Sequence, residues 1–319
     1  MQSNKLNFKS ITFLIIFGLV SLHAMSQGNP VHNKTLEVNG VEIFYREAGS
    51  KDSPTILLLH GYPTSSHMFR NLIRDLSDSY HLIAPDYPGF GNSEQPPMDE
   101  FEYSFDNMAV IVEGFLEKLN IDRYSIYLMD YGAPIGFRIA VKYPERVEAL
   151  IIQNGNAYEE GLKDFWIPIK KYWNEYTIEN GKPLEGFHSL DGLKWQYTHG
   201  VRNVETISPD NWNLDLNHLT REENNEIQLA MFYDYRTNVP LYPSWQEYFR
   251  VYQPPTLIVW GKNDYIFPSD GAYPYKNDLI NLEFHLLNTG HFALEEDGDK
   301  IALFIREFLE TNVINAGSN

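Results

Sequence analysis

The stretch SIYLMDYGAPIGF (residues 125–137) contains the transition on which the fold depends. Its first half is an apolar run, residues 126–129, and its second half turns through the small residues Gly132 and Ala133. Between the two halves stands Asp130, a carboxylate at the end of a run that predicts a buried strand. A strand that ends in this way just before a helix predicts a tight turn that displays one side chain at the edge of a sheet.

Short apolar runs alternate with helical patterns on both sides of this turn. The runs TILLLHG (residues 55–61) and HLIAPDYPG (residues 81–89) predict buried strands. Apolar spacing in residues 65–78 predicts a helix between them, and a second helix is predicted to begin after Ser104, a favourable N-cap. Further strands are predicted at YSIYLM, VEALIIQN, PTLIVWG and LEFHLLNTG, and a last helix at KIALFIREFLE. This alternation indicates a mostly parallel sheet with helices on both faces.

Two segments depart from the alternation. Apolar and polar residues alternate along residues 34–49 around Asn39-Gly40, which predicts a hairpin with a two-residue turn. From about residue 155 to about residue 254 no apolar strand run occurs, and many aromatic residues are mixed with polar ones. This profile predicts a helical insertion over the sheet. The expected division is a core of residues 27–155 and 254–319 and a helical cap of residues 156–253.

The composition excludes several classes of protein. The chain has 319 residues, of which 43% are hydrophobic, so it can build a sizeable core. Its formal net charge of −18 argues against nucleic acid or an anionic membrane as a partner, because both would repel it. It has no cysteine, which excludes disulfides, a cysteine nucleophile and cysteine-ligated zinc.

The first 26 residues are typical of an export signal. Lys5 and Lys9 precede an apolar stretch at residues 11–22, and small residues at Ala24 and Ser26 predict cleavage after Ser26. The apolar stretch is shorter than the ~20 residues that span a membrane, although a retained anchor is the alternative. We therefore expect an exported protein, periplasmic or secreted, without stable membrane association once the signal is removed.

Polar side chains follow four of the predicted strands. They are His60 in HGYP, Asp130, Asp264 in WGKND, and His291 in NTGHFALEE. Because the carboxyl ends of parallel strands meet at one edge of a sheet, we expect these residues to form the site. Their order along the chain, with a nucleophile candidate first, an acid next and a histidine last, matches that of a hydrolase triad.

The chain resembles the α/β-hydrolase superfamily, and within it the Asp-nucleophile branch of epoxide hydrolases and haloalkane dehalogenases. The resemblance extends from about residue 39 to about residue 309 and rests on HGYPTSSHMFR, DYPGFGNSEQP, LMDYGAPIG, WGKND and GHFALEE. These motifs occur together, in order and at suitable spacing. The resemblance implies an α/β-hydrolase fold, with a mostly parallel eight-stranded sheet, helices on both faces and a helical cap.

The resemblance also implies a reaction through Asp130 as nucleophile. A carboxylate is suited to displacing a leaving group at saturated carbon, which would leave an alkyl ester on Asp130. His291, oriented by Asp264, would then act as general base on a water that attacks the carboxyl carbon of this ester. The family places the backbone N–H groups of Tyr62 and Tyr131 at the resulting oxyanion. This chemistry needs only water, so we expect no cofactor and no metal.

Other interpretations of these residues are open from the sequence. Asp130 could cap the following helix, Asp264 could be a turn residue, and His291 could be a loop histidine beside a glycine. The joint occurrence of the three in their motifs favours catalysis. One feature departs from the family pattern, because Leu128 stands two residues before the nucleophile, where a small residue is usual.

The leaving group depends on the residues around the nucleophile. Dehalogenases of the family hold the halide with a Trp directly after the nucleophile, and often with an Asn or a second Trp, but these places hold Tyr131 and Tyr62 here. Epoxide hydrolases instead hydrogen-bond the epoxide oxygen with tyrosines of the cap. The stretch MFYDYRTNVPLYP resembles that cap segment, which makes Tyr235 the expected ring-opening acid, although Asp234 and Thr237 depart from the pattern.

A second ring-opening tyrosine is expected from the first half of the cap. Tyr158, Tyr172 and Tyr197 are all candidates, and the sequence does not choose among them. Six other histidines are expected to be structural: His67, His81, His188, His199, His218 and His285. The residues expected to contact the substrate are His60, Tyr62, Tyr131 and Tyr235.

The expected function is the hydrolysis of an epoxide to a vicinal diol, with a small apolar molecule as substrate and water as co-substrate. Hydrolysis of a carbon–halogen bond is the main alternative. A carboxylester or carbon–carbon bond hydrolase would normally have serine at position 130, and a binding protein that has lost activity is also possible on this fold. The oligomeric state is open.

Overall fold

The computed structural model describes residues 29–315 of the chain. The predicted export signal and its cleavage site after Ser26 lie outside these residues, so export stays a prediction. Within the described range, no helix combines the length and the apolar character that crossing a membrane requires.

One eight-stranded sheet organises the core, as the sequence predicts. The strands are β1 (His32–Val38), β2 (Val41–Ala48), β3 (Thr55–Leu59), β4 (His81–Pro85), β5 (Tyr124–Met129), β6 (Val147–Gln153), β7 (Thr256–Gly261) and β8 (Leu282–Leu287). Their order in the sheet is β1-β2-β4-β3-β5-β6-β7-β8. β1 and β4 run antiparallel to β2, and every other neighbouring pair is parallel. The central strands β3 and β5 are buried along their whole length, as expected of a sheet covered on both faces.

The hairpin predicted around Asn39-Gly40 is confirmed. Val38 pairs with Val41 across a two-residue turn. The φ angles of Asn39 and Gly40 are 51° and 85°, both in the left-handed region that such turns require. This hairpin forms the antiparallel edge of the sheet.

Helices pack on the sheet, and a second group of helices connects β6 to β7. The core helices are α1 (Arg70–Leu76), α2 (Phe105–Lys118), α3 (Gly132–Lys142), α10 (Tyr275–Asp278) and α11 (Leu294–Leu309). The helices between β6 and β7 are α4 (Ile167–Asn174), α5 (Ile178–Gly181), α6 (Leu190–Thr198), α7 (Asp210–Leu219), α8 (Asn224–Asp234) and α9 (Tyr242–Tyr252), joined by short 3₁₀ turns. α2 packs against α3, and α1 packs against α11. Ser104 caps α2, since its side chain accepts a hydrogen bond from the N–H of Asn107.

The single helix predicted over residues 65–78 is divided in the structure. A 3₁₀ turn, Ser66–Phe69, precedes α1. The N–H of Ser66 donates to the side chain of Asp86, 2.7 Å away, which ties the start of this segment to the loop after β4. This tertiary contact is the reason that the regular helix begins only at Arg70.

The turn between β5 and α3 is tight. Asp130 has a φ of 50°, a backbone conformation that residues other than glycine rarely adopt. Directly after it, a Cβ added at Gly132 would lie 2.2 Å from the carbonyl oxygen of Leu59 in the neighbouring strand. Only glycine therefore lets α3 start so close to β3.

Leu128, which departs from the family pattern, is accommodated one turn into α3. Its side chain is fully buried, and a Cβ added at Gly136 would lie 2.1 Å from its Cδ2. The glycine at position 136 therefore leaves the space that the larger residue in the strand occupies.

Gly132→Ala is expected to destabilise the fold by about 2 kcal/mol, because the added methyl group meets backbone that cannot rotate away. Urea denaturation measures this loss as a lower free energy of unfolding. Gly298→Ala is the matched control, since a Cβ at that position in α11 meets nothing within 4 Å and should leave stability unchanged or raise it by up to about 1 kcal/mol. Equal stability of the two variants would contradict the close approach of α3 and β3.

Candidate active site

Asp130 lies at the carboxyl end of β5 with its two carboxylate oxygens in different surroundings. Oδ1 accepts hydrogen bonds from the backbone N–H groups of Tyr62, at 2.7 Å, and Tyr131, at 2.6 Å. Oδ2 lies 3.7 Å from Nε2 of His291. One oxygen is therefore held by two donors, and the other is directed towards the imidazole.

The protonation of Asp130 reflects a balance of burial and hydrogen bonding. Burial raises the pKa of this carboxyl group to about 6, while the charge of His291 and the two backbone N–H groups act in the opposite direction. Asp130 is only 4% exposed. At neutral pH it is ionised and poorly hydrated, which favours nucleophilic attack.

His291 is oriented by Asp264. Its Nδ1 lies 2.7 Å from Oδ2 of Asp264, so the ring donates its Nδ1 proton to that carboxylate and turns Nε2 towards Asp130. Burial disfavours the imidazolium ion, but the charge of Asp264, the hydrogen bond to it and the charge of Asp130 together raise the pKa of His291. The structure thus brings together the three residues that the sequence places in the triad.

Asn154 is a further residue of this arrangement, and the sequence analysis missed it. Its side-chain N–H donates to Oδ2 of Asp264 at 2.8 Å, and its Oδ1 accepts from the N–H of Gly261 at 2.9 Å. The N–H of Ile266 donates to the other oxygen of Asp264 at 2.7 Å. A signal for Asn154 was available, because it follows an apolar strand run directly, as Asp130 does.

His60, expected to contact the substrate, is occupied elsewhere. Its Nδ1 pairs with the carbonyl oxygen of Gly61 at 3.0 Å, and its Nε2 accepts from the N–H of Tyr87 at 3.3 Å. Burial lowers the pKa of His60 to about 4, so the ring is neutral. Both ring nitrogens therefore bond to backbone groups, of Gly61 and Tyr87, which leaves no polar atom of this side chain for a substrate.

Tyr235 lies in an aromatic enclosure next to the nucleophile. Its ring is fully buried and contacts Tyr131, Trp166 and Trp173, with centroids 6.2, 4.4 and 5.9 Å away. Its hydroxyl group makes no well-aligned hydrogen bond within residues 29–315, although the hydroxyl group of Tyr242 lies close enough to interact with it. Burial raises the pKa of Tyr235 well above its ordinary value, and nearby Tyr242 and Asp130 add to this effect. This phenol therefore stays protonated.

Asp234, a departure from the family segment, has a structural role that the sequence did not reveal. Its Oδ2 accepts a hydrogen bond at 2.8 Å from the N–H of Phe105, the first residue of α2. On the other side of Tyr235, the guanidinium group of Arg138 donates to Oδ1 of Asn238 at 2.7 Å. The segment that carries Tyr235 is thus attached to the core at both of its ends.

None of the three candidates for a second ring-opening tyrosine presents a free hydroxyl group to Asp130 in the structure. Tyr158 donates to Asp278 at 2.7 Å, and Tyr197 donates to Asp215 at 2.6 Å. Tyr172 packs against Tyr176 and Tyr233 within the cap. Their roles are accounted for by these contacts.

Four rings form a continuous line across the site, which we call the aromatic row. The row consists of Tyr235, Tyr131, Tyr62 and His188, with centroids of neighbouring rings 6.2, 5.7 and 5.8 Å apart. Among the described residues, no hydrogen bond is made by the three hydroxyl groups or by Nε2 of His188, and all four atoms are buried. The sequence analysis treated His188 as structural, and nothing in its local sequence distinguishes it.

The family match and the relatives identify this fold as that of a hydrolase. Residues 54–298 match the alpha/beta hydrolase fold family, and the chain belongs to that family. It is 44% identical over 261 residues to an uncharacterized hydrolase of Saccharomyces cerevisiae, which covers 81% of this chain and 89% of the yeast protein.

More distant relatives have named activities. The chain is 23% identical over 290 residues to epoxide hydrolase 1 of Caenorhabditis elegans, covering 87% of this chain and 70% of that protein. A haloalkane dehalogenase variant from Bradyrhizobium elkanii superposes with a TM-score of 0.74 at 19% identity, covering 91% of this chain and 99% of that structure. This structural likeness shows a shared fold. The relatives thus agree with the epoxide hydrolase and dehalogenase branch that the motifs indicate.

Proposed function

We propose that this protein hydrolyses epoxides to vicinal diols through an ester formed on Asp130. The observation that carries the proposal is the buried hydroxyl group of Tyr235, which makes no well-aligned hydrogen bond among the described residues and whose ring contacts that of Tyr131, the residue after the nucleophile. A protonated phenol beside a buried carboxylate pairs a proton donor with a nucleophile. Ring opening of an epoxide needs both groups at once.

In the first step, Oδ2 of Asp130 attacks a carbon of the oxirane ring, and the carbon–oxygen bond of the ring breaks. The electron pair of that bond stays on the leaving oxygen, which takes the proton of Tyr235. The products are a hydroxyalkyl ester of Asp130 and a tyrosinate. Because burial disfavours the tyrosinate, the phenol gives up its proton only to an oxygen on which strong negative charge has developed.

In the second step, His291 removes a proton from water, and the resulting hydroxide attacks the carboxyl carbon of the ester. The tetrahedral oxyanion forms at Oδ1, where the N–H groups of Tyr62 and Tyr131 already point. Collapse of this intermediate breaks the ester bond and transfers the proton of His291 to the departing diol. The remaining proton, on the new carboxyl group of Asp130, returns to Tyr235.

Formation of the ester on Asp130 would lower the pKa of His291. The charge of Asp130 contributes to the raised pKa of His291 in the free protein. Esterification removes this charge, so the pKa of His291 falls when the ester forms. The imidazole is therefore more often neutral in the step that needs a base than in the free protein.

Halide release, the main alternative, finds no free indole N–H group in the two tryptophans beside Tyr235. The indole N–H of Trp166 donates to the carbonyl oxygen of Ile266 at 2.8 Å, and that of Trp173 donates to the carbonyl oxygen of Phe232 at 2.7 Å. These two tryptophans are the ones that contact Tyr235. Because their N–H groups are engaged with backbone, neither can hold a halide ion without breaking a buried hydrogen bond.

Product analysis separates these activities. We would incubate the protein with terminal and aryl epoxides and with short bromoalkanes, and measure diol and halide. Diol without halide supports the proposal, and halide without diol would replace it by dehalogenation. Neither product, together with ligand-induced thermal stabilisation, would instead identify a binding protein.

Tyr235→Phe is expected to lower kcat for epoxides by roughly 10²-fold, because it removes the proton donor and leaves the aromatic packing in place. Its melting temperature should not fall, since the lost hydroxyl group has no hydrogen bond within the described residues. Tyr233→Phe is the matched control, because it changes a neighbouring cap tyrosine whose ring packs under Arg236. Unchanged kcat in the Tyr235 variant would exclude Tyr235 as the acid.

A further inference from the structure

The end of the aromatic row opposite Tyr235 is a hydrogen-bond acceptor. Nδ1 of His188 lies 2.9 Å from Oδ1 of Asn225, an atom that can only accept. The Nδ1 atom therefore carries the proton, and burial lowers the pKa of His188, so the ring is neutral. Its Nε2 has a free lone pair, is buried, and receives no hydrogen bond from any described residue.

The ring of His188 lies next to a residue that holds the nucleophile. The ring of His188 contacts that of Tyr62, and the backbone N–H of Tyr62 holds Asp130 at 2.7 Å. The N–H groups that hold Asp130 belong to Tyr62 and Tyr131, the two middle residues of the row. Tyr235 and His188 are therefore the two ends of a row whose middle residues hold Asp130 through their backbone N–H groups.

Two further buried polar atoms surround this end of the row. The hydroxyl group of Tyr62 makes no hydrogen bond in the part of the chain described, although Gln196 is close enough to lower its pKa. Oε1 of Gln228 is likewise buried and unpaired within residues 29–315. Gln228 lies three residues after Asn225 and four before Phe232, both of which contact His188, so all three share one face of α8.

We propose that Nε2 of His188 accepts a hydrogen bond from a hydroxyl group carried by the substrate beside its oxirane, so that this site selects epoxy alcohols. A hydroxyl group can donate to Nε2 while it accepts from the hydroxyl of Tyr62, which an alkyl or ether group cannot do. Without such a ligand, a buried acceptor has lost its hydrogen bonds to water and makes no other hydrogen bond in their place. The inference rests on the proposed epoxide hydrolysis, and it adds a polar group to the apolar substrate expected from the sequence.

The test compares three epoxides that differ in one group. They are an epoxy alcohol, its methyl ether, and the analogue in which a methyl group replaces the hydroxyl. We expect kcat/KM for the alcohol to exceed that for each of the other two by about tenfold to a hundredfold, because a site that hydrogen-bonds a hydroxyl group discriminates strongly against analogues that lack it.

His188→Phe keeps an aromatic ring in the row and removes the acceptor. This variant should lose the preference by hydrolysing the alcohol more slowly and the other two epoxides at their original rates. His188→Gln, which retains an acceptor oxygen, should recover part of the preference. His285→Phe is the control, because His285 stacks on Phe304 at the edge strand β8, and the preference should be unchanged.

Two results would overturn the inference alone. One is equal use of the three epoxides by the unaltered protein. The other is an equal loss for all three in His188→Phe and His188→Gln, with unchanged melting temperatures, which would assign His188 to the chemical step. Diol from none of the three epoxides would reject the proposed function itself, and the inference with it.

Discussion

His291→Gln is expected to stop the reaction after its first step and to leave the substrate attached to Asp130. The attack by Oδ2 of Asp130 does not need a base, because the carboxylate is already ionised at neutral pH. Hydrolysis of the ester does need one, and glutamine cannot accept the proton of water. Steady-state turnover should fall on the order of 10³-fold or more. Intact-mass measurement after a short incubation should show the protein heavier by one epoxide.

The control for this experiment is His285→Gln, a change of the same kind at a histidine that pairs with Glu283 on the edge strand. It should turn over normally and accumulate no adduct. Peptide mapping of the His291 variant should place the added mass on the peptide that contains Asp130. A variant that is inactive but carries no adduct would contradict a covalent mechanism in which His291 serves only the second step.

Asp130→Asn is expected to abolish both the adduct and turnover, with a loss on the order of 10⁴-fold in kcat. The amide is a far weaker nucleophile than the carboxylate. The fold should survive, because the amide oxygen can still accept from the N–H groups of Tyr62 and Tyr131. Replacing a charge that is 4% exposed by a neutral group also removes an unfavourable burial, so the melting temperature should not fall.

Asp99→Asn, a change of the same kind at an exposed position, serves as its control and should leave activity intact. The double variant with His291→Gln gives a second check, since removing the nucleophile should eliminate the adduct that the single variant accumulates. An adduct that persists in the double variant would assign the nucleophile to another residue.

The residues that follow strands were predictable, because chain order and sheet topology together bring them to one edge. Asp130, Asp264 and His291 each follow an apolar run, and in parallel strands such positions converge regardless of the details of packing. The geometry of the three was thus anticipated, and their catalytic roles are tested by the variants above. The mostly parallel sheet follows from the same alternation of strands and helices, and its eight strands agree with the family resemblance.

The cap side of the site was not predictable in the same way. Cap helices are placed by tertiary packing, and a chain with 21 tyrosines offers many candidates for each position. Tyr158 and Tyr197 are directed to Asp278 and Asp215 by hydrogen bonds between residues 120 and 18 positions apart in the chain. His188 is placed by its contacts with Tyr62 and with Asn225 and Phe232 of α8. No local pattern encodes contacts of this kind.

The hydrogen bond from the N–H of Phe105 to Asp234 connects the cap segment that carries Tyr235 to helix α2. Asp130 and His291 are 4% and 2% exposed, and we infer that the cap segment moves when a substrate enters. Moving this segment away would remove the carboxylate of Asp234 from the start of α2, at a cost of about 1 kcal/mol. Because Asp234 is the residue before Tyr235, the same motion would move Tyr235 away from Asp130. While the cap is open, Asp130 would therefore lack the proton donor that Tyr235 provides. If the proposed epoxide hydrolysis is right, both reacting groups come together only on closure, after the substrate has taken the place of bulk solvent.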